Sequence, residues 1–525
     1  MPGTWVRSTA SRTYARLLAR ALAPPPPRPQ RQSARVVALD DATSRMFLRR
    51  SIDGLYDAAP DLSCKQTTTE SQRRLGLGVG TALVMLLILE TRITLMAIVA
   101  ILTYLYATVV VYRVRLFRRS MLSDSLLDIS DEEALALEDL PIVTVLIPAY
   151  KEPEVIARLM LDIGALDYPS SRLDVKLLIE QDDPETLAAI HAARPPRHFS
   201  VVLIPDGGPR TKPKALNYGL CLAAGELVAV YDAEDRPEPL QLRRAVAAFR
   251  RSGPDVVCLQ GRLAYYNSGH NLITKWFEAE YLAWFRFFLP GLAERHVPVP
   301  LGGTSNVMRR KELQEVGGWD PYNVTEDADL GIRFHRAGYR TGVLASTTLE
   351  EANSDFVNWA KQRSRWQKGY LQTWLVHMRE PRRLWRELGP SGFFNFNFFV
   401  GGTPLLALVN PVFWALTILW FVTESTLIGD LFPPVIYFPA LACWVIGNAV
   451  VVYLGVVSVE MDGQPELAFA ALLAPLYWVM MSVAAYKAAW QLVRNPSLWE
   501  KTAHGLTANP AAAPPVQRTI QRLAS

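Results

Sequence analysis

Apolar positions along this chain come in two textures. Long unbroken runs (Leu75–Leu89, Ile93–Tyr112, Phe393–Val422, Val435–Val457 and Leu467–Val493) flank a central stretch in which short apolar runs end in polar clusters. The first two runs are separated only by Glu90-Thr91-Arg92 and read as a helical hairpin. Its second arm is long enough to span a bilayer, and its first lies near the lower limit. Arg73-Arg74 precede the hairpin and Arg113, Arg115, Arg118 and Arg119 follow it, which puts both ends on the cytoplasmic side. A hairpin buried in a soluble domain is the competing reading, and those cationic flanks argue against it.

From about Pro141 the pattern changes. "PIVTVLIPAY", "LDVKLLIE", "FSVVLIPD" and "GELVAVYDAED" each read as a buried strand ending in polar residues, with helical segments between them. Strand, helix, strand at this spacing predicts an α/β domain with a mostly parallel sheet. Ligands of such sheets bind beyond the carboxyl ends of the strands, where the acidic clusters of this region fall.

After Pro381 the chain is apolar again. Phe393–Val422 exceeds a single span and carries Gly401-Gly402 and Pro404, which fits an interfacial helix leading into a crossing helix. Val435–Val457 is a second span. In Leu467–Val493, Pro475, Lys487 and Gln491 favour an interfacial placement over a third crossing. The predicted division is a basic N-terminal region (1–72), a transmembrane hairpin (73–115), a linker (116–140), a catalytic domain (141–385), interfacial and transmembrane helices (386–493) and a C-terminal segment (494–525).

Composition adds limits rather than direction. Mean hydropathy of +0.10 fits a soluble domain joined to membrane spans. A net charge of +5 over 525 residues, with no long basic stripe, argues against nucleic acid as a partner. Four cysteines with no CxxC spacing argue against a zinc cluster and fit reduced thiols facing a cytosol. Met1–Leu39 has seven arginines and no acid; a disordered basic tail, a short Arg-rich helix over Thr13–Leu22 and a transit peptide all share that composition.

Candidate chemistry clusters at the strand ends. Asp232, Glu234 and Asp235 crowd one strand end and predict a site for Mg2+ or Mn2+, against the bland reading of a solvated acidic turn. Lys212 and Lys214, on the preceding loop, are placed to meet a pyrophosphate. Tyr150 is a candidate stacking platform for a base or ribose, and Asp182 or Asp183 a candidate acceptor from a uracil N–H or ribose hydroxyl; ordinary turn chemistry around Pro153 and Pro184 is the alternative. Thr325-Glu326-Asp327 opens a helical stretch, so it is either a helix cap or a site at which Asp327 serves as general base on an acceptor hydroxyl. A helix start by itself lowers the pKa of an acid, so a base here needs a hydrophobic or anionic surround. In "KQRSRWQKGYLQTW", Gln362, Arg365 and Trp366 fall at i, i+3 and i+4 and share a helix face. They read as an interfacial anchor, as a platform holding a sugar and a diphosphate, or as both.

Taken together and in order, these motifs resemble family 2 membrane glycosyltransferases, the group of cellulose, hyaluronan and curdlan synthases, from about Leu75 to Gly505. Asp232-Ala233-Glu234 stands where that family has DxD, Thr325-Glu326-Asp327 matches TED, and Gln362-Arg363-Ser364-Arg365-Trp366 matches Q(Q/R)xRW. "IPAYKEP", with Tyr150 and Glu152, looks like the first nucleotide-binding strand, and "PLGGTSNVMRR" looks like the acceptor-side loop before a "GGWD" turn. "LWEKTAHGL" resembles the family's gating loop, with Trp499, Thr502 and His504 where Phe, Thr and Lys stand there.

The resemblance implies a cytosolic GT-A domain, Rossmann-like, set between transmembrane helices of a multi-pass protein of a bacterial inner membrane. It implies an inverting transfer from a nucleotide diphosphate-sugar, most simply a UDP-sugar, to a growing β-glycan, with Asp327 as base and Mg2+ or Mn2+ on the diphosphate. Its partners would be the donor, the glycan, membrane lipids and an accessory envelope or export protein. The rivals are a single-addition transferase acting on a lipid acceptor and a catalytically inactive subunit of an envelope complex.

Overall fold

A computed structural model describes residues 35–122, 126–496 and 498–500. The Thr13–Leu22 helix, Thr502 and His504 lie outside the described residues.

Ten strands form one mixed sheet: β1 (Arg35–Val36), β2 (Leu126–Leu127), β3 (Val143–Ala149), β4 (Leu173–Glu180), β5 (Phe199–Ile204), β6 (Leu227–Val230), β7 (Arg236–Pro237), β8 (Val256–Tyr265), β9 (Asn306–Arg309) and β10 (Arg340–Glu350). Their order is β1-β5-β4-β3-β6-β9-β8-β10-β2, with β7 pairing β10. The half from β1 to β6 is parallel, and β9 runs antiparallel to both β6 and β8. Because β8 and β10 are parallel to each other, β3, β4, β6 and β10 all end on the same edge of the sheet. Near-continuous burial explains the apolar texture of these strands: every residue of β6, and all but one in each of β3 and β4, is buried.

Both ends of the sheet come from segments that the sequence assigns elsewhere. β1 pairs with β5, and the Asp41–Ala58 helix that follows, capped by Asp40, docks through Leu55 and Ser51. The N-terminal region from Arg35 therefore belongs to the α/β domain. At the other edge, β2 from the 116–140 linker pairs with β10.

Among the described residues four helices are long and apolar enough to cross a membrane: Glu70–Leu89, Thr91–Leu122, Pro381–Thr423 and Pro434–Met461. The third breaks at Gly389, which adopts φ 65°, so its first turns lie apart from the apolar rod beyond. That break comes earlier than the Gly401-Gly402 pair. The two hairpins meet at their turns, where Arg92 pairs with Asp430 at 3.3 Å and the Tyr104 hydroxyl donates to the Val435 carbonyl at 2.9 Å. Their other ends rest on the α/β domain: Gln72 donates to the Leu375 carbonyl, and Asp462 accepts from Arg262 of β8 at 2.9 Å.

The segment after Pro465 bends by 61° between two helices, Pro465–Leu472 and Ala474–Arg494. Trp276 donates to the Ala470 carbonyl at one end, while Lys368 and Gln372 donate to the Leu498 and Pro496 carbonyls beyond the other. A 21-residue helix is about 30 Å long, yet both ends touch the same domain, so it lies along that domain.

Candidate active site

The strand ends open onto one cavity of about 790 Å³. Tyr150 and Glu152 follow β3, and Glu180 ends β4. Asp232 and Glu234 follow β6, Gly302–Thr304 precede β9, and Glu350 ends β10. Thr325, Glu326 and Asp327 enter from the start of the Glu326–Arg336 helix. Gln362, Arg365 and Trp366 come from one face of the Phe356–His377 helix.

Lys212 ties this arrangement together. It opens the Lys212–Cys221 helix rather than lying on a loop, and Pro213 at the second position suits a first turn. Its ammonium pairs with Asp232 at 2.6 Å and donates to the Gly303 carbonyl at 2.6 Å. A Cβ placed on Gly303 would lie 3.6 Å from Asp327 Oδ2 and 3.7 Å from Lys212 Nζ, so the acid and the ammonium both border that glycine. Burial opposes the charge on Lys212, but Asp232, Asp327 and Glu326 outweigh it and hold the ammonium above the ordinary lysine range.

The cap reading of Thr325-Glu326-Asp327 fails on geometry. Thr325 stands at the N-cap but makes no side-chain capping bond; its hydroxyl turns to Asn323 Oδ1 at 3.4 Å. Glu326 and Asp327 are buried. Burial first, and Glu326 second, push the Asp327 carboxyl well above the usual range, with Lys212 partly offsetting them. The anionic, desolvated surround that a base requires at a helix start is thus present.

Four predicted ligands lie outside the cavity lining. Asp183 is buried, caps the Pro184–Ala193 helix through Thr186 N at 3.1 Å and accepts from Lys151 N, so its oxygens are committed to the turn. Lys214 is fully buried and pairs with Glu180 at 2.9 Å, behind the cavity wall. Asp235 points inward, where one oxygen accepts from Asp232 N at 2.7 Å and from the Thr304 hydroxyl. Asp182 pairs with Arg210 at 2.7 Å and accepts from the Tyr150 hydroxyl at 3.3 Å, outside the cavity lining.

Among the described residues no three His, Cys, Asp or Glu side chains converge as a metal-ligand set, which corrects the Asp232–Glu234–Asp235 trio. The donor chemistry nevertheless fits a hard cation. Asp235 Oδ1 is buried with no hydrogen-bond partner among the described residues. Burial, and then Asp235, Asp232 and Glu234, push the Glu350 carboxyl well up. Asp232, which also pairs with Lys212, and Glu234 both line the cavity and supply the carboxylate oxygens that a hard cation takes.

On the helix face, the Trp366 ring stacks 6.3 Å from Tyr281 and lies under the Arg363 guanidinium at 4.3 Å. Arg363 is held by Glu280 at 3.2 Å. Arg365 lies over the Trp499 ring at 4.6 Å, and Gln362 accepts from Asn353 at 2.8 Å. Glu350 and Glu280 escaped sequence reasoning. The rule that found Asp232, acids at an apolar strand's end, finds Glu350 as well if applied to "TTLEE"; nothing local marks Glu280.

The cavity continues along the Thr91–Leu122 helix. Leu102, Thr103, Tyr106, Val109, Val110 and Arg113 line it, a single stripe at three- and four-residue spacing. Phe413, Trp414 and Trp444 from the later candidate spans line the same cavity.

Residues 227–456 match the family model described as glycosyl transferase family group 2. The matched segment is similar to glycosyltransferase family 2 domains. It carries Asp232, Asp327, Gln362, Arg365 and Trp366 and runs on into the candidate spans.

A probable glycosyltransferase, YdaM, of Bacillus subtilis is 27% identical over 237 residues, 44% of this chain and 56% of that protein. A beta-monoglucosyldiacylglycerol synthase of Synechocystis is 30% identical over 247 residues, 46% of this chain and 50% of the relative. A probable glucomannan 4-beta-mannosyltransferase of Arabidopsis thaliana is 28% identical over 273 residues, 50% of this chain and 49% of the relative. The chain thus spans about half the length of the curated relatives it matches. Among solved structures, a mannosyltransferase from Pyrobaculum calidifontis in complex with GDP-Man and Mn2+ aligns at a TM-score of 0.48 and 18% identity, covering 76% of this chain and 99% of that one. The family model and two of these relatives are described as glycosyl- or mannosyltransferases, and the chain's own sheet is a mixed one in an α/β fold.

Proposed function

We propose that the chain is an inverting membrane glycosyltransferase that moves a sugar from a nucleotide diphosphate-sugar to a hydroxyl of a growing β-glycan. One observation carries this reading: a single cavity joins the strand-end acids, the buried Asp327 and Trp366 to a stripe of a candidate membrane span.

The donor's base and ribose lie against Tyr150 and Glu152, and its diphosphate meets Lys212 and Arg365. A divalent cation held by Asp232 and Glu234 would offset the diphosphate charge when bound. Asp327, its proton affinity raised by burial and by Glu326, takes the acceptor hydroxyl's proton. The acceptor oxygen forms a bond to the anomeric carbon as the bond from that carbon to the diphosphate oxygen breaks, and the nucleoside diphosphate leaves against Lys212 and Arg365. An α-linked donor then gives a β-linked product. Trp366, braced by Tyr281 and Arg363, offers a flat apolar face to the acceptor sugar. The membrane half of the cavity, with Tyr106, Phe413, Trp414 and Trp444, is the exit path for the product, and the catalytic domain faces the cytosol.

A second reading, one sugar added to a lipid acceptor, draws on the aliphatic part of that wall: Leu102, Val109, Val110, Leu406, Val451 and Val452. Incubating purified protein with UDP- and GDP-sugars and measuring product mass separates the two. A ladder of lengths supports the glycan synthase; a single adduct on lipid replaces it with the second reading; no nucleotide release from any sugar donor overturns both.

A further inference from the structure

A second cavity, of about 620 Å³, lies between the Asp41–Ala58 helix, the Gly317-Gly318 turn and the far end of the Glu326–Arg336 helix. Asp232, Asp327 and Trp366 are not in its lining. Its charged residues are Arg50, Arg333, Arg336 and Arg383 against Glu315 and Glu387.

Both carboxylates are already engaged. Glu387 accepts from Arg336 at 2.6 Å and from Arg383 at 2.7 Å. Glu315 accepts from the Tyr339 hydroxyl at 2.6 Å. Arg336 also meets His377, and Arg383 also pairs with Asp61.

That leaves Arg50 and Arg333. Arg333 is only 2% exposed. Its Nε donates to Asp329 at 2.7 Å and Nη1 to the Val316 carbonyl at 2.6 Å, but Nη2 has no hydrogen-bond partner among the described residues. Arg50 is exposed and has no ion pair among the described residues. A buried guanidinium nitrogen left without an acceptor is costly, and Arg50, exposed on the same wall, adds a positive charge that no carboxylate pairs among the described residues. The Asp329 carboxylate meets the charge of Arg333, so what stays open is an acceptor for Nη2 and a counter-charge for Arg50. Two guanidinium groups lining one cavity of this size suit the oxygens of a phosphate group.

We propose that this cavity binds a small phosphate-bearing anion at a site separate from the donor site. Arg333 lies six residues beyond Asp327 on the same helix. Asp329 accepts from Arg333 and also meets His377 Nε2 at 3.0 Å, on the helix that carries Gln362 and Arg365. An anion on Arg333 therefore steadies the joint between the two helices that build the active site, and acts as a regulator. The inference needs only the cavity and its arginines, and stands or falls apart from the donor assignment.

The test is calorimetric titration of inorganic pyrophosphate into the full chain in detergent, with UDP and Mn2+ first added to saturation so that the donor site is filled. The expected result is binding that persists under UDP and weakens about tenfold in Arg50→Ala. Pyrophosphate that binds only without UDP, or that binds equally to wild type and Arg50→Ala, overturns the proposal. So does the absence of any binding. Arg50 is exposed, so its replacement leaves the fold in place; an unchanged circular dichroism spectrum and UDP affinity verify this.

Discussion

Gly369 and Thr325 touch so closely that no side chain fits between them. A Cβ built on Gly369 would lie 2.3 Å from Thr325 Oγ1 and 2.7 Å from its Cβ. The helix presenting Gln362, Arg365 and Trp366 can therefore approach the segment presenting Glu326 and Asp327 only because position 369 lacks a side chain.

Gly369→Ala is expected to force the two elements apart, at a cost of about 1–3 kcal/mol of stability and roughly tenfold or more in nucleotide release. Adding Thr325→Gly, which removes every atom in the clash, should recover stability. Thr325→Ser should not, because the Cβ remains. Thermal midpoints of the four proteins check this, and a stable, fully active Gly369→Ala enzyme would refute the steric account.

Asp327→Asn keeps the shape of the site and removes the base. Transfer should fall by about 10²–10⁴ while UDP affinity changes little, a loss in kcat rather than in donor binding. Unchanged turnover would remove Asp327 from the mechanism.

Asp232 is predicted to link the donor to a divalent cation. Activity should vanish in EDTA and return with Mn2+ or Mg2+, and Asp232→Asn should raise the metal concentration needed for half-activity. Full activity in EDTA would contradict a metal role. Because Lys212 also loses its partner, Asp232→Asn should lower the Lys212 pKa, measurable as a shift in the alkaline limb of the pH profile.

Asp320 gives a prediction about stability. Burial pushes its carboxyl up to about 6, despite hydrogen bonds from the Cys64 and Tyr322 amides. A folded-state pKa above the unfolded value means that its contribution is fully present below the unfolded pKa, near 4, and is lost as pH rises through about 6. Wild type should thus lose on the order of 1 kcal/mol relative to Asp320→Asn between pH 5 and pH 8. Parallel melting curves at the two pH values check the sign; a gap between the proteins that does not change with pH would show that Asp320 does not titrate there.

Much of the architecture was legible in order along the chain. The runs at Ile93–Tyr112 and Val435–Val457 lie within helices long and apolar enough to cross a membrane. The strands read from "PIVTVLIPAY" and "GELVAVYDAED" form where burial on both faces demands unbroken apolar residues. Local pattern carries such information because helices and strands bury whole stretches at a fixed period.

Side-chain direction is a different matter, settled by partners that lie far away in sequence. Asp182 and Asp183 are neighbours, yet one faces Arg210 at the surface and the other is consumed by a helix cap. Lys212 and Lys214 are two residues apart, yet one reaches Asp232 and the other is sealed against Glu180. An ionised group that leaves water must find an opposite charge or a set of donors, and the fold decides which is within reach. The sequence by itself determined the strands, the long apolar helices and the order of the acidic motifs. Only the tertiary structure decided which acids and lysines share the cavity and which were spent on holding it together.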